Sequence, residues 1–332
     1  MPDTSFRAMV VEETAEGNFS RQIQTRKLSD LPKGEVLIKV DYSSLNYKDA
    51  LSASGNKGVT RRYPHTPGID AAGTVAASEH AGFSEGDPVL VTGYDLGMNT
   101  DGGFGQYVRV PADWVVPRPA GLSAQESMAL GTAGFTAALG VGHLIHMGVT
   151  PDKGPVLVTG ASGGVGSIAV GILAHRGYAV TASSGKTEAA QMLTHLGAAE
   201  VIDRLAPSKP DKPLLPQRWA GVIDTVGGDT LSIALRSTLL HGTIACCGNV
   251  ASANLDITVY PFILRGIALI GMDSATTEMD ERRDIWDHLA DEWKFAGLAS
   301  LATTIGLDDL DDHIEKILDS RQMGRKVVDL NA

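Results

Sequence analysis

The sequence predicts an α/β protein of two domains, a β-rich domain followed by a doubly wound parallel sheet. Three observations carry that prediction. Short apolar runs with period-two spacing fill the first third of the chain, separated by turn residues. From about Leu122 onward, strand-like and helix-like segments alternate. One of those strands runs directly into a glycine cluster that opens a helix. With 332 residues, 43% hydrophobic and 20% charged, the chain has the size and composition for about two ordinary globular cores.

In the first third, Phe6-Ala8-Val10, Val36-Ile38-Val40, Ala72-Thr74-Ala76 and Val89-Val91 alternate as half-buried strands do. Leu31-Pro32-Lys33-Gly34, Gly82 to Asp87 and Gly102-Gly103-Phe104-Gly105 supply turn chemistry, so an antiparallel, barrel-like sheet is expected. Ser123 and Glu126 have capping-box spacing ahead of a long Ala/Gly/Leu-rich helix. Strands then follow at 156–159, 179–182, 221–225, 243–247 and 267–272, with helices at 164–176, 186–196 and 231–239. Repeated βα units imply a parallel sheet covered by helices. After Ser274 the chain turns acidic and helical, ends strand-like over 326–330, and is expected to return to the first domain. The domains are thus drawn as 1–127 with 273–332, and 128–272. The Pro-rich stretch 207–216 reads as an irregular surface loop.

Charge and cysteine content remove several functions. With 28 Lys+Arg against 39 Asp+Glu, a net charge of -11 opposes nucleic-acid or anionic-membrane binding through the overall field. The 2 cysteines, Cys246 and Cys247, are adjacent, which gives neither a disulfide framework nor a four-cysteine zinc site. A reducing, cytoplasmic location is the expectation, and no targeting segment is visible. The uncharged stretch from Gly154 to Ala174 is long enough for a membrane span. Its dense glycines argue instead for a buried strand, a turn and a buried helix face.

The strongest local signal is Val156-Leu157-Val158-Thr159-Gly160-Ala161-Ser162-Gly163-Gly164-Val165-Gly166. A tight turn must leave the strand, backbone must approach a pyrophosphate, and the helix must pack on the strand; Gly160, Gly163 and Gly166 suit these needs. The helix start offers free N–H donors and a positive dipole end, so Gly160, Ser162, Gly163, Gly164 and Val165 are candidate cofactor-binding residues. The same residues also spell a nucleophile elbow at Ser162, which would require a paired histidine base. At the end of the next strand, where an acid selects NAD, stand Ser183, Ser184, Gly185 and Lys186, with Arg204 farther on. Hydroxyls and cations suit a 2'-phosphate, so NADPH (NADP+) is the expected cofactor.

With Ser43-Ser44-Leu45-Asn46-Tyr47-Lys48-Asp49, Pro67-Gly68-Ile69-Asp70, Gly131 to Ala137 and the glycine loop, the chain resembles the medium-chain dehydrogenase/reductase superfamily over nearly its whole length. Within it, the chain is similar to the zinc-free quinone oxidoreductase-like branch and to its acrylyl-CoA reductase group. The narrower likeness rests on the segment from Ser43 to Asp49, the glycine loop, Ile223-Asp224-Thr225-Val226-Gly227 and Pro261 to Gly266. The resemblance implies a GroES-like β-rich catalytic domain, a Rossmann cofactor domain and a homodimer paired through the last strand of the nucleotide domain. Ile267 to Gly271 suits that pairing. Zinc-dependent members place a Cys within the segment held here by Ser43 to Asp49 and a His-Glu pair at Ile69-Asp70. This chain has no cysteine before Cys246, so no metal is expected.

Without a Lewis acid, an activated carbon–carbon double bond is the easier target. Hydride adds to the β-carbon, and the charge that reaches the thioester oxygen needs only hydrogen-bond donors. The resemblance implies NADPH-dependent reduction of acrylyl-CoA to propanoyl-CoA, with quinone or enone reduction and non-catalytic NADPH binding as alternatives. It points to Tyr47, Asn46, Lys48 and Asp70 on the catalytic side. Tyr47 could bond the nicotinamide ribose or hold the substrate carbonyl, and Asp70 could orient Asn46 or Lys48. Thr132, Asn249, Ile263, Ser274 and Arg325 join the cofactor residues. Arg265 is a candidate for coenzyme A phosphate or nicotinamide-side groups, and the Arg61-Arg62 pair for coenzyme A phosphates.

Overall fold

The structure, a computed structural model, describes residues 4–14, 17–206 and 212–332. In chain order the strands are β1 (Ser5–Glu13), β2 (Phe19–Lys27), β3 (Val36–Ser44), β4 (Asp70–Ser78), β5 (Pro88–Thr92), β6 (Tyr107–Val110), β7 (Val116–Pro117), β8 (Val156–Val158), β9 (Val180–Ser183), β10 (Glu200–Ile202), β11 (Trp219–Asp224), β12 (Thr238–Cys246), β13 (Ala268–Gly271), β14 (Ala302–Gly306) and β15 (Arg325–Asp329). The helices that bear on the sites are α1 (Tyr47–Ala53), α2 (Ala124–His146) and α3 (Gly164–His175), followed along the chain by α4 (Ala190–His195), α5 (Gly228–Ser237) and α6 (Tyr260–Arg265).

The chain divides into two compact units: Met1–Thr132, Ala275–Ala290 and Ala302–Ala332 form one, and Ala133–Ser274 with Asp291–Leu301 the other. The acidic tail is therefore split, because residues 291–301 pack with the second unit. In the first unit a seven-stranded sheet runs β14-β15-β3-β4-β5-β7, with β6 also paired to β3. β3 sits antiparallel between β15 and β4, in the register Val328↔Ser43 and Tyr42↔Ala72. Its inward residues Val36, Ile38 and Val40 join Val89, Val91, Phe104 and Val328 in one apolar core. β1 and β2 form a separate antiparallel pair that period-two reading only half anticipates, since β2 (FSRQIQTRK) is largely polar.

In the second unit six strands pair in the order β10-β9-β8-β11-β12-β13, every pairing parallel. Counted within the unit this is 3-2-1-4-5-6, the doubly wound order with its topological switch beside β8. Val156, Leu157 and Val158 are fully buried, as a central parallel strand requires. β12 starts five residues earlier than the sequence suggests, and the helix after β11 runs over Gly228–Ser237. Of the Pro-rich stretch, 207–211 lies outside the described residues, while 212–216 has no regular structure.

Two local features position the sites. The capping box forms as expected: Ser123 N–H donates to Glu126 (2.9 Å) and Glu126 N–H to Ser123 Oγ (3.1 Å). The long helix that follows is broken at Gly131, where φ is 54° and ψ is -157°. That interruption and its burial make it a core element, although its apolar length would fit a membrane.

Candidate active site

The predicted site residues fall into two groups, one in each unit. In the first unit, the chain leaves β3 at Ser44 and starts a helix at Tyr47. Asn46 takes extended backbone angles, and its N–H donates to Asp49 Oδ2 at 2.8 Å, one half of a capping box that launches α1. The Asn-x-x-Asp spacing is the signal that sequence reading overlooked.

Asp70 opens β4 with no exposed surface. Its carboxylate accepts from Ser44 Oγ, from Asn46 Nδ2 (2.8 Å), and from the N–H (3.0 Å) and hydroxyl (2.6 Å) of Thr132. Arg325, at the start of β15, is 3% exposed. Its guanidinium donates to Ser44 Oγ (2.9 Å), Asn46 Oδ1 (3.1 Å), Leu45 O (3.3 Å) and Ala129 O (3.0 Å). Those donors hold this cluster together, whereas the sequence assigns Arg325 to the cofactor. Asp49 also lies fully buried and accepts Ile69 N–H at 2.8 Å. Burial, then the neighbouring Asp70 charge, raises its carboxyl to about 7 against the hydrogen bonds from Asn46 and Ile69. Gly131 touches the same cluster: a Cβ there would stand 2.4 Å from Asp70 Oδ2 and 2.6 Å from Ser44 Oγ.

The groups with free chemistry lie on the outer side of this cluster. Tyr47 is 44% exposed, Lys48 is half-buried, and neither side chain has a hydrogen-bond partner among the described residues. Asp70 pairs with Asn46, and no bond joins it to Lys48. Asp70, Ser44 and Arg325 all bond to Asn46, at the start of α1.

In the second unit the glycine loop has the predicted form. Gly160 has φ +59°, and a Cβ on it would lie 2.2 Å from Thr225 Oγ1. A Cβ on Gly166 would lie 2.4 Å from Gly160 O. Gly163 begins α3 without any side-chain cap, and the amides of Ser162, Gly164 and Val165 have no hydrogen-bond partner among the described residues. A backbone-lined hollow with unspent donors at a helix start fits a nucleotide pyrophosphate.

Beside it, Ser184 Oγ donates to Ser162 Oγ at 3.0 Å and accepts Lys186 N–H at 3.1 Å. The Ser183 hydroxyl is used on Asp203 O (3.1 Å). Arg204 lies over Gly185, whose missing Cβ would be 2.0 Å from Arg204 Nε. Burial lowers the Lys186 ammonium, with Glu188 opposing and Arg204 adding to the shift. Two cations side by side, with the Arg204 guanidinium unpaired among the described residues, make a site for an anion beyond the loop. No histidine meets Ser162, so the nucleophile-elbow reading finds no base among the described residues.

Other predicted residues of this unit lie apart from the loop contacts. Asn249 is exposed after β12, Ile263 is 67% exposed on α6, and Ser274 Oγ accepts from Thr136 at 2.8 Å. Arg265 is a correction. It is buried and donates to the carbonyls of Arg236 (2.7 Å), Thr238 (3.0 Å) and Leu215 (2.5 Å), so it ties the C-terminal end of α5 to the segment before β11 and has no freedom to meet coenzyme A. Sequence reading also missed Thr159 and Asp224, which stitch β8 to β11 beneath the loop. Among the described residues, no group of three or more His, Cys, Asp or Glu side chains is placed to hold a metal ion.

Two family models match the chain, the alcohol dehydrogenase GroES-like domain over residues 32–120 and the zinc-binding dehydrogenase over 164–291. A putative quinone oxidoreductase, YhfP of Bacillus subtilis, is 45% identical over 98% of this chain and 99% of its own. The acrylyl-CoA reductase AcuI of Ruegeria pomeroyi is 43% identical over 98% of this chain and 100% of its own. Among solved structures, the Salmonella enterica yhdH oxidoreductase in complex with NADP superposes with TM-score 0.94 at 42% identity, covering 97% of this chain and 99% of that one. Bacillus subtilis yhfP with NAD bound gives 0.96 at 44% identity, covering 98% and 100%. The chain belongs to the medium-chain dehydrogenase/reductase superfamily, in its zinc-free quinone oxidoreductase-like branch.

Proposed function

We propose that this protein is an NADPH-dependent reductase of the carbon–carbon double bond of a short enoyl-CoA, converting acrylyl-CoA to propanoyl-CoA. The observation that carries the reading is full-length identity of 43% to an acrylyl-CoA reductase. NADPH over NADH rests on Lys186, Arg204 and the Ser162–Ser184 pair, with no acid at the end of β9. Bound NADPH supplies the hydride. Ser162, Gly164 and Val165 would hold its pyrophosphate by their unspent backbone amides, with Gly163 admitting the close approach, and Lys186 with Arg204 would neutralise the 2'-phosphate.

On the substrate side, Tyr47 has an unspent phenol to donate to a thioester carbonyl oxygen, or to the ribose, and Lys48 adds positive charge beside it. Asn46 cannot serve as a free donor while its amide bonds Asp70. Thr132, Asn249, Ile263 and Ser274 are proposed to line the cofactor's nicotinamide half, and Arg325 is proposed to act there only through Asn46. The protein is proposed to be cytoplasmic and homodimeric. β13 is an edge strand of the six-stranded sheet, and the nearby chain exposes Val259, Tyr260, Ile263 and Leu264.

A second reading, a zinc-independent NADPH:quinone or enone oxidoreductase, is favoured by 45% identity to YhfP. Measuring kcat/KM with NADPH against acrylyl-CoA, crotonyl-CoA and a benzoquinone separates the two. Acrylyl-CoA is expected to lead by at least tenfold. A benzoquinone in first place overturns the proposal, and absence of turnover with all three leaves a nucleotide-binding sensor.

A further inference from the structure

Asp224 ends β11 with no exposed surface, and no cation pairs with it among the described residues. A buried carboxylate without a counter-charge is costly unless donors surround it. Here they do. Thr159 Oγ1 donates to Asp224 Oδ1 at 2.6 Å, while the N–H groups of Gly227 (2.8 Å) and Val226 (3.4 Å) donate to Oδ2. The network closes on itself, since Thr225 N–H donates to Thr159 Oγ1 (3.1 Å) and Thr225 Oγ1 donates to Thr159 O (2.8 Å). Thr159 is the residue immediately before Gly160, and Gly160 has room for no Cβ because Thr225 Oγ1 would be 2.2 Å from it. The ends of β8 and β11 are therefore locked together at the point where the chain turns into the glycine loop.

We infer that Asp224 is a positioning residue for the nucleotide phosphates, fixing through Thr159 the strand end from which the Gly160–Val165 loop departs and through its other oxygen the turn at Gly227. An acceptor-only side chain is needed because all three groups that meet it are donors. Asparagine must turn its NH2 toward either Thr159 or the two amides. The first leaves the Thr159 hydroxyl proton without its acceptor; the second opposes donor to donor. Loop amides that must be in place before the phosphates arrive gain most from such a lock, because binding then orders less of the chain. The inference rests on NADPH binding at this loop and on no choice of acceptor substrate.

Three variants test it: Asp224→Asn, Thr159→Val, which keeps the shape and removes the hydroxyl, and Thr159→Ser, which keeps the hydroxyl. NADPH affinity is read by fluorescence titration, and amide hydrogen exchange is read in the protein without nucleotide. Asp224→Asn and Thr159→Val are expected to raise the NADPH Kd about tenfold and to speed exchange at the hydrogen-bonded loop amides of Ala161 and Gly163 at least tenfold. Exchange in β12 should stay within twofold, and Thr159→Ser should bind like the parent. A Kd within twofold of the parent in both variants overturns the inference. So does an exchange increase of equal size throughout the second unit, which marks a general loss of stability. Failure of the parent itself to bind NADPH would instead defeat the cofactor assignment.

Discussion

Asp70 and Asp224 are both carboxylates without exposed surface, each tied to the part of its unit that carries candidate chemistry, yet they are supported in opposite ways. Asp70 shares its hydrogen-bond partners Ser44 and Asn46 with the buried guanidinium of Arg325, so charge meets charge through a ring of neutral groups. Asp224 has hydroxyl and amide donors only, and burial pushes its pKa up, with the Thr159, Gly227 and Val226 bonds opposing. The difference lies in the charges at hand: the Arg325 guanidinium interacts with both Asp70 and Asp49, whereas no cation among the described residues acts on Asp224.

The sharpest way to break this contrast is Arg325→Met. It would leave Asp70 and Asp49 together without their cation, and the expected loss is about 3–5 kcal/mol in urea unfolding, enough to threaten folding of the first unit. A loss below about 1 kcal/mol would mean that the neutral donors suffice, as they do for Asp224.

A smaller effect is expected from Asp49→Asn, read as stability against pH. Asp49 holds its proton in the folded protein up to about 7, while its unfolded value is 3.8. The folded state therefore binds the extra proton between these values, and this contribution to stability is lost as pH rises from about 4 to about 7. The variant should flatten that fall in Tm. Asp224, shifted in the same direction, keeps part of the slope. An unchanged profile would remove Asp49 from the argument. Smallest is Lys186→Ala, where a partly exposed cation is removed from a solvated edge. KM for NADPH should rise about fivefold, near 1 kcal/mol, with KM for NADH unchanged. Equal effects on the two nucleotides would show that Lys186 does not read the 2'-phosphate.

Much of this was legible in the sequence where local and global signals agree. Val156 to Gly166 announces strand, turn and helix by composition alone, because buried parallel strands are uniformly apolar and the tight turn admits only glycine at its key positions. The charge ring around Asp70 was not legible as a ring. Arg325 meets Ser44 across 281 residues of chain, and no local pattern encodes a contact at that distance. Its basic character in a returning tail suggested a ligand contact, while the fold uses it as an internal counter-ion. Arg265 misled in the same manner: three carbonyls at helix and strand ends hold it, and backbone acceptors leave no mark in sequence. Asp224 stands in a recognisable sequence motif, but its bond to Thr159 depends on β8 and β11 being neighbours, which only the strand order reveals.

The interleaving of the two units has a consequence for the order in which the protein is made. The six-stranded sheet is complete in sequence at Gly271, so the nucleotide unit can assemble its strands while synthesis continues. The first unit cannot, because β3 waits for β15, and the acids at positions 49 and 70 wait for the same strand to deliver Arg325. A nascent chain thus carries the Tyr42-Ser43-Ser44 end of β3 without its β15 partner through most of its translation, while Val36 to Lys39 can already pair with β6. The ribosome-bound protein is expected to have the nucleotide sheet paired while the first unit's sheet still lacks β14 and β15, and that unfinished sheet is where chaperones would find their substrate.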